Sequence, residues 1–219
     1  MPPSSLLPAA VIATAVFAGL AGCAIAAELD GVVETQDYAV DPFTSIEANG
    51  SGDVSVQVGP EASVTATGDT ALLERLRVSV EGDVLHLDGP SGTIGWSSED
   101  IAYAITVPHL DAVELSGSGD VDVTDVETDA FSARTSGSGD IVLSGRADSL
   151  AIELDGSGRV DADALDARDA RVDLSGSGDI RVRASGDLDV DISGSGDVTT
   201  VGAASVAADV SGSGEVHEG

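Results

Sequence analysis

SGSGDVDVTDVETDAFSART at residues 116–135 is followed directly by SGSGDIVLSGRADSLAIEL at 136–154, and the two stretches match at both ends. Three further copies follow at 155–174, 175–192 and 193–210, then a half copy from 211. Gly-Ser-Gly plus a polar residue stands at 50–53, 117–120, 137–140, 156–159, 176–179, 194–197 and 212–215; from the second copy onward the steps are 20, 19, 20, 18 and 18 residues. Each unit opens with eight residues of the form S-G-S-G-D-V-x-V, with Asp155 replacing the first Ser in one copy. Each closes with five residues that are apolar at the first, third and fifth place, as in Leu150/Ile152/Leu154 and Leu188/Val190/Ile192. The segment between them is 7, 6, 7, 5 and 5 residues long, so all length variation falls in one place. Both constant parts alternate with period two, the mark of strands with one buried face. Helical repeats need roughly 33 residues and a 3.6 period. The pattern therefore predicts an all-β solenoid whose coils rise by about 4.8 Å, the spacing of hydrogen-bonded strands. Gly-Ser-Gly-Asp reads as its corner, with Gly supplying positive φ and Asp accepting nearby amides as in an Asx-turn.

Residues 28–115 are less regular. Phe43/Ser45/Glu47 and Thr44/Ile46/Ala48 leave the buried face of one strand open. Asp69–Leu76 reads as one or two helical turns capped by Asp69, and Val78/Val80, Glu81-Gly82-Asp83 and Leu85/Leu87 read as a hairpin. A Gly/Ser-rich loop at 88–100 carries the single Trp, Trp96, a candidate contact for a sugar or partner or a cover for the solenoid end. This irregular section is expected to cap the stack.

Phe43-Thr44-Ser45-Ile46, Gly50-Ser51-Gly52-Asp53-Val54, Leu72-Leu73-Glu74-Arg75-Leu76 and Val107-Pro108-His109-Leu110-Asp111 before Leu115–Val121 carry a resemblance in order and spacing. Over about residues 42–215 the chain resembles the auto-transporter adhesin head GIN domain family, a domain family of unknown function. The resemblance implies a right-handed, single-stranded β-helix-like fold in exported or lipid-anchored bacterial proteins. It brings no catalytic residues with it.

The N-terminal 27 residues hold no charged side chain, and the apolar run Ala9–Leu20 has the length of a signal-peptide core rather than a membrane span. Leu20-Ala21-Gly22-Cys23 resembles a lipobox, which makes Cys23, the only Cys, the candidate site of lipid attachment. Ala24-Ile25-Ala26 offers the alternative of ordinary cleavage and a secreted soluble product. The expected organisation is a lipoprotein signal peptide at 1–22, a linker at 23–41, an N-terminal β section and cap at 42–115, and repeat coils at 116–219.

Charge narrows the partners. With 39 acidic residues against 9 basic ones, all Arg, the formal charge is −30. Phosphate-backbone binding needs clustered positive charge, so nucleic acid is excluded as a partner. Anionic headgroups repel such a chain, so any membrane attachment must be hydrophobic or covalent, with the lipid on Cys23 as the expected anchor. The position after Gly-Ser-Gly forms a candidate ladder for a ligand or cation: Asp120, Asp140, Arg159, Asp179, Asp197 and Glu215. Neighbouring carboxylates suit Ca²⁺ weakly, although the nonapeptide calcium pattern is missing. Asp140, Arg159 and Asp179 form the least poor set for a polysaccharide-active enzyme. His86, His109 and His217 are scattered and lack zinc-ligand spacing. The favoured reading is a non-enzymatic envelope protein whose coil wall contacts a glycan or another protein. The half coil Ser211–Gly219 lacks a closing strand, so a homo-oligomeric contact at that edge, or fraying, is expected.

Overall fold

The computed structural model describes residues 32–89 and 101–219. Trp96 and Cys23 lie outside them. Among the described residues, sixteen strands join in one sheet system, with a single short helix. The repeat units stack as a β-solenoid of about 5 turns.

The regular part is built from β8 (Ala112–Gly117), β9 (Val121–Gly137), β10 (Ile141–Leu154), β11 (Arg159–Leu174), β12 (Asp179–Ala184), β13 (Asp187–Ile192), β14 (Val198–Val201), β15 (Ser205–Val210) and β16 (Val216–Glu218). Every neighbour in this series pairs in parallel. On the opening wall Val121, Ile141, Val160, Ile180, Val198 and Val216 fall in one column. On the closing wall Val113, Ala133, Ile152, Val172, Val190 and Ala208 do the same. These columns face inward and, up to the last coil, are almost fully buried. The core is therefore a stack of aliphatic layers, each large side chain contributing on the order of 2 kcal/mol by leaving water.

The variable segment lies where the sequence places it, but it is not simply an outward bulge. In the first three regular coils it forms a third paired wall with inward residues Val126, Ala147, Leu165 and Ala167. Register shifts fall at Leu143/Gly145, Val142/Ser144 and Ala162/Ala167, where the opening wall passes into this one. Coils four and five shrink it to Ser185-Gly186 and Gly202–Ala204, which still bond to the coil beneath through Ser185 N–H to Ala167 O and Ala204 N–H to Gly186 O, each 3.0 Å.

The Gly-Ser-Gly corner has a different physical reason from the one its sequence implies. Among its first glycines, φ is positive at Gly50, Gly117 and Gly137, while Gly156, Gly176, Gly194 and Gly212 stay outside that region. What recurs is close approach. A Cβ on either glycine of each corner from 117 to 214 would meet the carbonyl oxygen of the matching glycine one coil below, inside the 3.0 Å that real Cβ atoms essentially never enter. The coils stack backbone on backbone here, and no side chain fits between them.

At the other end, β2 (Ser45–Gly50) and β3 (Asp53–Val58) form a coil directly under β8 and β9, with Gly50 beneath Gly117. Under that coil lie β6 (Val84–Asp88), parallel to β2, and β7 (Ile101–Val107), parallel to β3. Chain order and stacking order thus differ: the strands made first sit above those made later. Ile46 and Ala48 take the buried face of β2, which resolves the ambiguity of that strand. Antiparallel strands finish the stack: β5 (Arg77–Glu81) on β6, β4 (Ser63–Asp69) on β7, and β1 (Val33–Tyr38) on β4. The helix α1 (Thr70–Leu73) joins β4 to β5, and Asp69 caps it by accepting the Ala71 amide at 2.8 Å.

Candidate functional site

The ladder residues do line up, and they are bonded to one another in a way that sequence spacing conceals. The Asp140 amide donates to Asp120 Oδ1 at 2.9 Å, and the Arg159 amide donates to Asp140 Oδ1 at 2.8 Å. Below them the Asp120 amide donates to Asp53 Oδ1 at 3.2 Å. Above them the Asp197 amide donates to Asp179 Oδ1 at 3.3 Å, and the Glu215 amide to Asp197 Oδ1 at 2.9 Å. Each carboxylate therefore ties its coil to the next one. This replaces the local Asx-turn of the sequence reading, because the amide partner belongs to the following coil rather than the same turn.

Arg159 breaks the series. It offers no acceptor to the Asp179 amide, and its guanidinium instead reaches back to Asp140 Oδ2 at 3.8 Å. That exposed, long ion pair contributes little. Asp140, Arg159 and Asp179 are successive rungs, and two of the three spend a carboxylate oxygen on the next coil's amide. Among the described residues, no group of three or more His, Cys, Asp or Glu is placed to hold a metal ion.

One shallow groove takes in part of this ladder and another lies away from it. The first, about 380 Å³ on the opening wall, is lined by Arg159, Asp161, Asp179, Arg181, Asp197 and His217, paired loosely: Arg181 to Asp161 at 3.8 Å, His217 to Glu215 at 3.6 Å and to Asp197 at 3.9 Å. The other, about 470 Å³, lies on the middle wall among Arg146, Asp148, Asp166, Arg168, Arg183 and Ser185. His86 and His109 sit apart from both, against Glu47 at 3.2 Å and Asp111 at 2.8 Å.

Three Arg roles escaped the sequence reading. Arg183 donates from Nε to the Asp163 carbonyl at 2.7 Å and from a terminal nitrogen to Asp163 Oδ1 at 2.8 Å. It thereby serves residues 163–166, which lose their strand partner where coil four is shorter. Arg171 forks onto Asp173 at 2.8 and 3.0 Å and also reaches Asp191, one coil on, at 2.7 Å. Arg134 joins Glu153 of the next coil at 2.6 Å. Arg134–Glu153 and Arg183–Asp163 were recoverable by aligning units and looking for opposite charge at equal unit positions, whereas Arg171 passes its register partner Asp189 to reach Asp191 diagonally.

The order of coils, the glycine corners and the capped entrance together match a known architecture. The model of the family described as "Putative auto-transporter adhesin, head GIN domain" covers residues 42–204. The chain belongs to this family. No curated protein matches it. Among solved structures, a "putative adhesin" from Bacteroides fragilis superposes with a TM-score of 0.71 at 22% identity, covering 85% of this chain and 97% of its own. A "Putative lipid binding protein" from Parabacteroides distasonis reaches 0.58 at 21% identity, covering 87% and 98%. A "putative adhesin" from Parabacteroides merdae reaches 0.53 at 16% identity, covering 87% and 97%. At these identities the likeness concerns the fold. The GIN-domain chain is thus adhesin-like by family, which fits a surface or extracellular setting. No helix among its described residues is long and apolar enough to cross a membrane.

Proposed function

We propose that this GIN-domain protein is a non-enzymatic cell-envelope lipoprotein, anchored through Cys23, whose outer coil rows form a rigid contact surface for a glycan or an envelope protein. The observation that carries this reading is register. Outward residues recur at matched positions from coil to coil, on backbone held in the inner coils by parallel neighbours on both sides. One chemical pattern is thereby repeated at about 4.8 Å intervals, which suits a partner that is itself extended and repetitive. The grooves are shallow and lined by Arg and Asp that are engaged in ion pairs, such as Arg181 with Asp161 and Arg168 with Asp148. Adhesin descriptions of the family and of its structural relatives point the same way.

The test is retention of the purified protein on native envelope fractions and on a polysaccharide panel, with reducing ends assayed alongside. Retention without depolymerisation is expected, weakened by the pair Asp161→Arg and Thr199→Arg on the opening wall. Release of reducing ends would replace this reading with a polysaccharide-active enzyme. The anchor is tested separately: palmitate labelling should disappear in Cys23→Ser.

A further inference from the structure

Positive charge is not spread evenly over the coils. Residues 134–183 carry seven of the nine Arg and ten acids, a balance of −3, against −27 for the rest of the chain. Three of these Arg, Arg146, Arg168 and Arg183, line the middle-wall groove with two acids, Asp148 and Asp166. The groove lies where the wall shortens: between Ala162/Val182 and Ala167/Ala184 the register skips, and residues 163–166 form a ledge with no strand partner on coil four. Its floor is a column of small residues, Ala147, Ala167 and Ala184, one per coil.

The three guanidiniums are unequally occupied. Arg183 spends Nε and one terminal nitrogen on Asp163. Arg168 spends Nε on Asp169, and the 3.8 Å from its terminal nitrogen to Asp148 is too long for a hydrogen bond. Arg146 stands in register between Glu127 and Asp166, yet makes no ion pair or hydrogen bond with any described residue. Donors are therefore left open over an apolar floor, beside carboxylates able to accept hydroxyls.

We propose that the middle-wall groove is a binding site for an acidic glycan, in which Arg146 and Arg168 take a uronate carboxylate and Asp148 accepts sugar hydroxyls. The inference rests on the glycan reading above and gives it a ligand class. The groove crosses the strands, from Arg146 on coil two to Gly202 on coil five, about 14 Å at 4.8 Å per coil. An extended peptide pairs along a strand and gains affinity from a ladder of backbone bonds, which a groove across the strands does not supply. A chain of sugars needs no such ladder. A guanidinium meets a planar carboxylate with two parallel bonds. The acidic walls oppose any anion, but at about 0.15 M salt charges more than about 8 Å away are largely screened, and the groove's own three Arg to two Asp govern.

The purified protein is titrated at about 0.15 M salt with oligomers of galacturonate and of mannuronate, with their methyl esters, and with oligoglutamate of equal charge. Binding of a free oligouronate is expected, and of neither esters nor oligoglutamate. Arg146→Gln should weaken it about tenfold or more, the worth of one charge-assisted bond, with a further loss on adding Arg168→Gln. Arg77→Gln removes the same charge on β5, at the entrance, and should change the affinity by less than about twofold. Arg146 ties nothing down, so its variant should melt with the native chain, which separates lost binding from lost fold. Equal losses in Arg146→Gln and Arg77→Gln, esters bound as tightly as acids, or a preference for oligoglutamate would overturn the proposal. Retention on envelope fractions without oligouronate binding would also overturn it while leaving the contact-surface reading in place. Failure to bind any envelope fraction or glycan would remove both.

Discussion

The Gly-Ser-Gly corner and the middle wall are two sides of the same coil with opposite tolerances. At the corner every copy from 117 onward keeps both glycines, and there the Cβ position is already filled by the carbonyl of the coil below. Across the middle wall the chain loses residues between coil three and coil four, and Arg183 takes over the Asp163 carbonyl that the missing strand leaves. A solenoid therefore need not be uniformly strict. Backbone-on-backbone contact permits no insertion, whereas a wall whose gap a long side chain can bridge accepts it.

The largest effect should come from the corner. Gly158→Ala places a methyl against the Gly139 carbonyl in a stack that cannot part locally without breaking rungs on both sides. Overpacking of side chains typically costs about 1–3 kcal/mol, and a clash with backbone belongs at or beyond the upper end. Urea unfolding should show a loss of about 3 kcal/mol or more. Thr135→Val, immediately before the Ser136 corner, should move the other way. Its hydroxyl is buried without a hydrogen-bond partner, and removing it should gain about 1 kcal/mol. If both variants lose stability alike, the corner is no stricter than the core beside it.

A smaller loss is expected on the middle wall. Arg183→Ala removes two hydrogen bonds from Asp163, on a side chain 40% exposed, and should cost about 1–2 kcal/mol in the same measurement. Arg183→Lys should recover only part of this, since an ammonium cannot fork onto a carbonyl and a carboxylate together. A neutral Arg183→Ala would mean that water serves the shortened wall equally well.

Much of this contrast was legible in the sequence. Period-two alternation set the walls, and the unit lengths located the variable segment, because both follow from residue type and spacing. The Gly-Ser-Gly recurrence was read correctly as a corner, but for φ rather than for close approach. Packing between coils has no counterpart in the local sequence. The irregular entrance shows the same limit: nothing in Val54, Tyr103 and Val121 announces that they share one column, since the pairing joins residues far apart in the chain. Of the candidate site, the ladder positions were legible, while their bonds to the next coil's amides were not, because those depend on the stacking direction. Arg183 and Asp163 stand at the same unit position as opposite charges, but the bond to the Asp163 carbonyl was not legible, since that oxygen is left open only by a missing strand.

The smallest expected effect concerns Asp169, where the middle wall borrows the corner's device. The Asp187 amide of the next coil donates to Asp169 Oδ1 at 3.1 Å, and Arg168 Nε donates to Oδ2 at 3.0 Å. The amide first, and then Arg168, hold this carboxyl below the usual carboxylate range. A carboxyl depressed in the folded state binds fewer protons there than in the unfolded chain. Its contribution is therefore complete above the unfolded value of about 3.9 and fades as pH falls through the lower folded value. Asp169→Asn keeps an oxygen for the Asp187 amide but removes the titration. The stability difference between the native chain and Asp169→Asn should be small but constant from pH 7 down to about 5, then shrink as pH falls below the unfolded value of about 3.9. A difference unchanged across that range would show that the rung works through hydrogen-bond geometry alone. The middle wall would then differ from the corner in its tolerance to length and not in the charge of its ties.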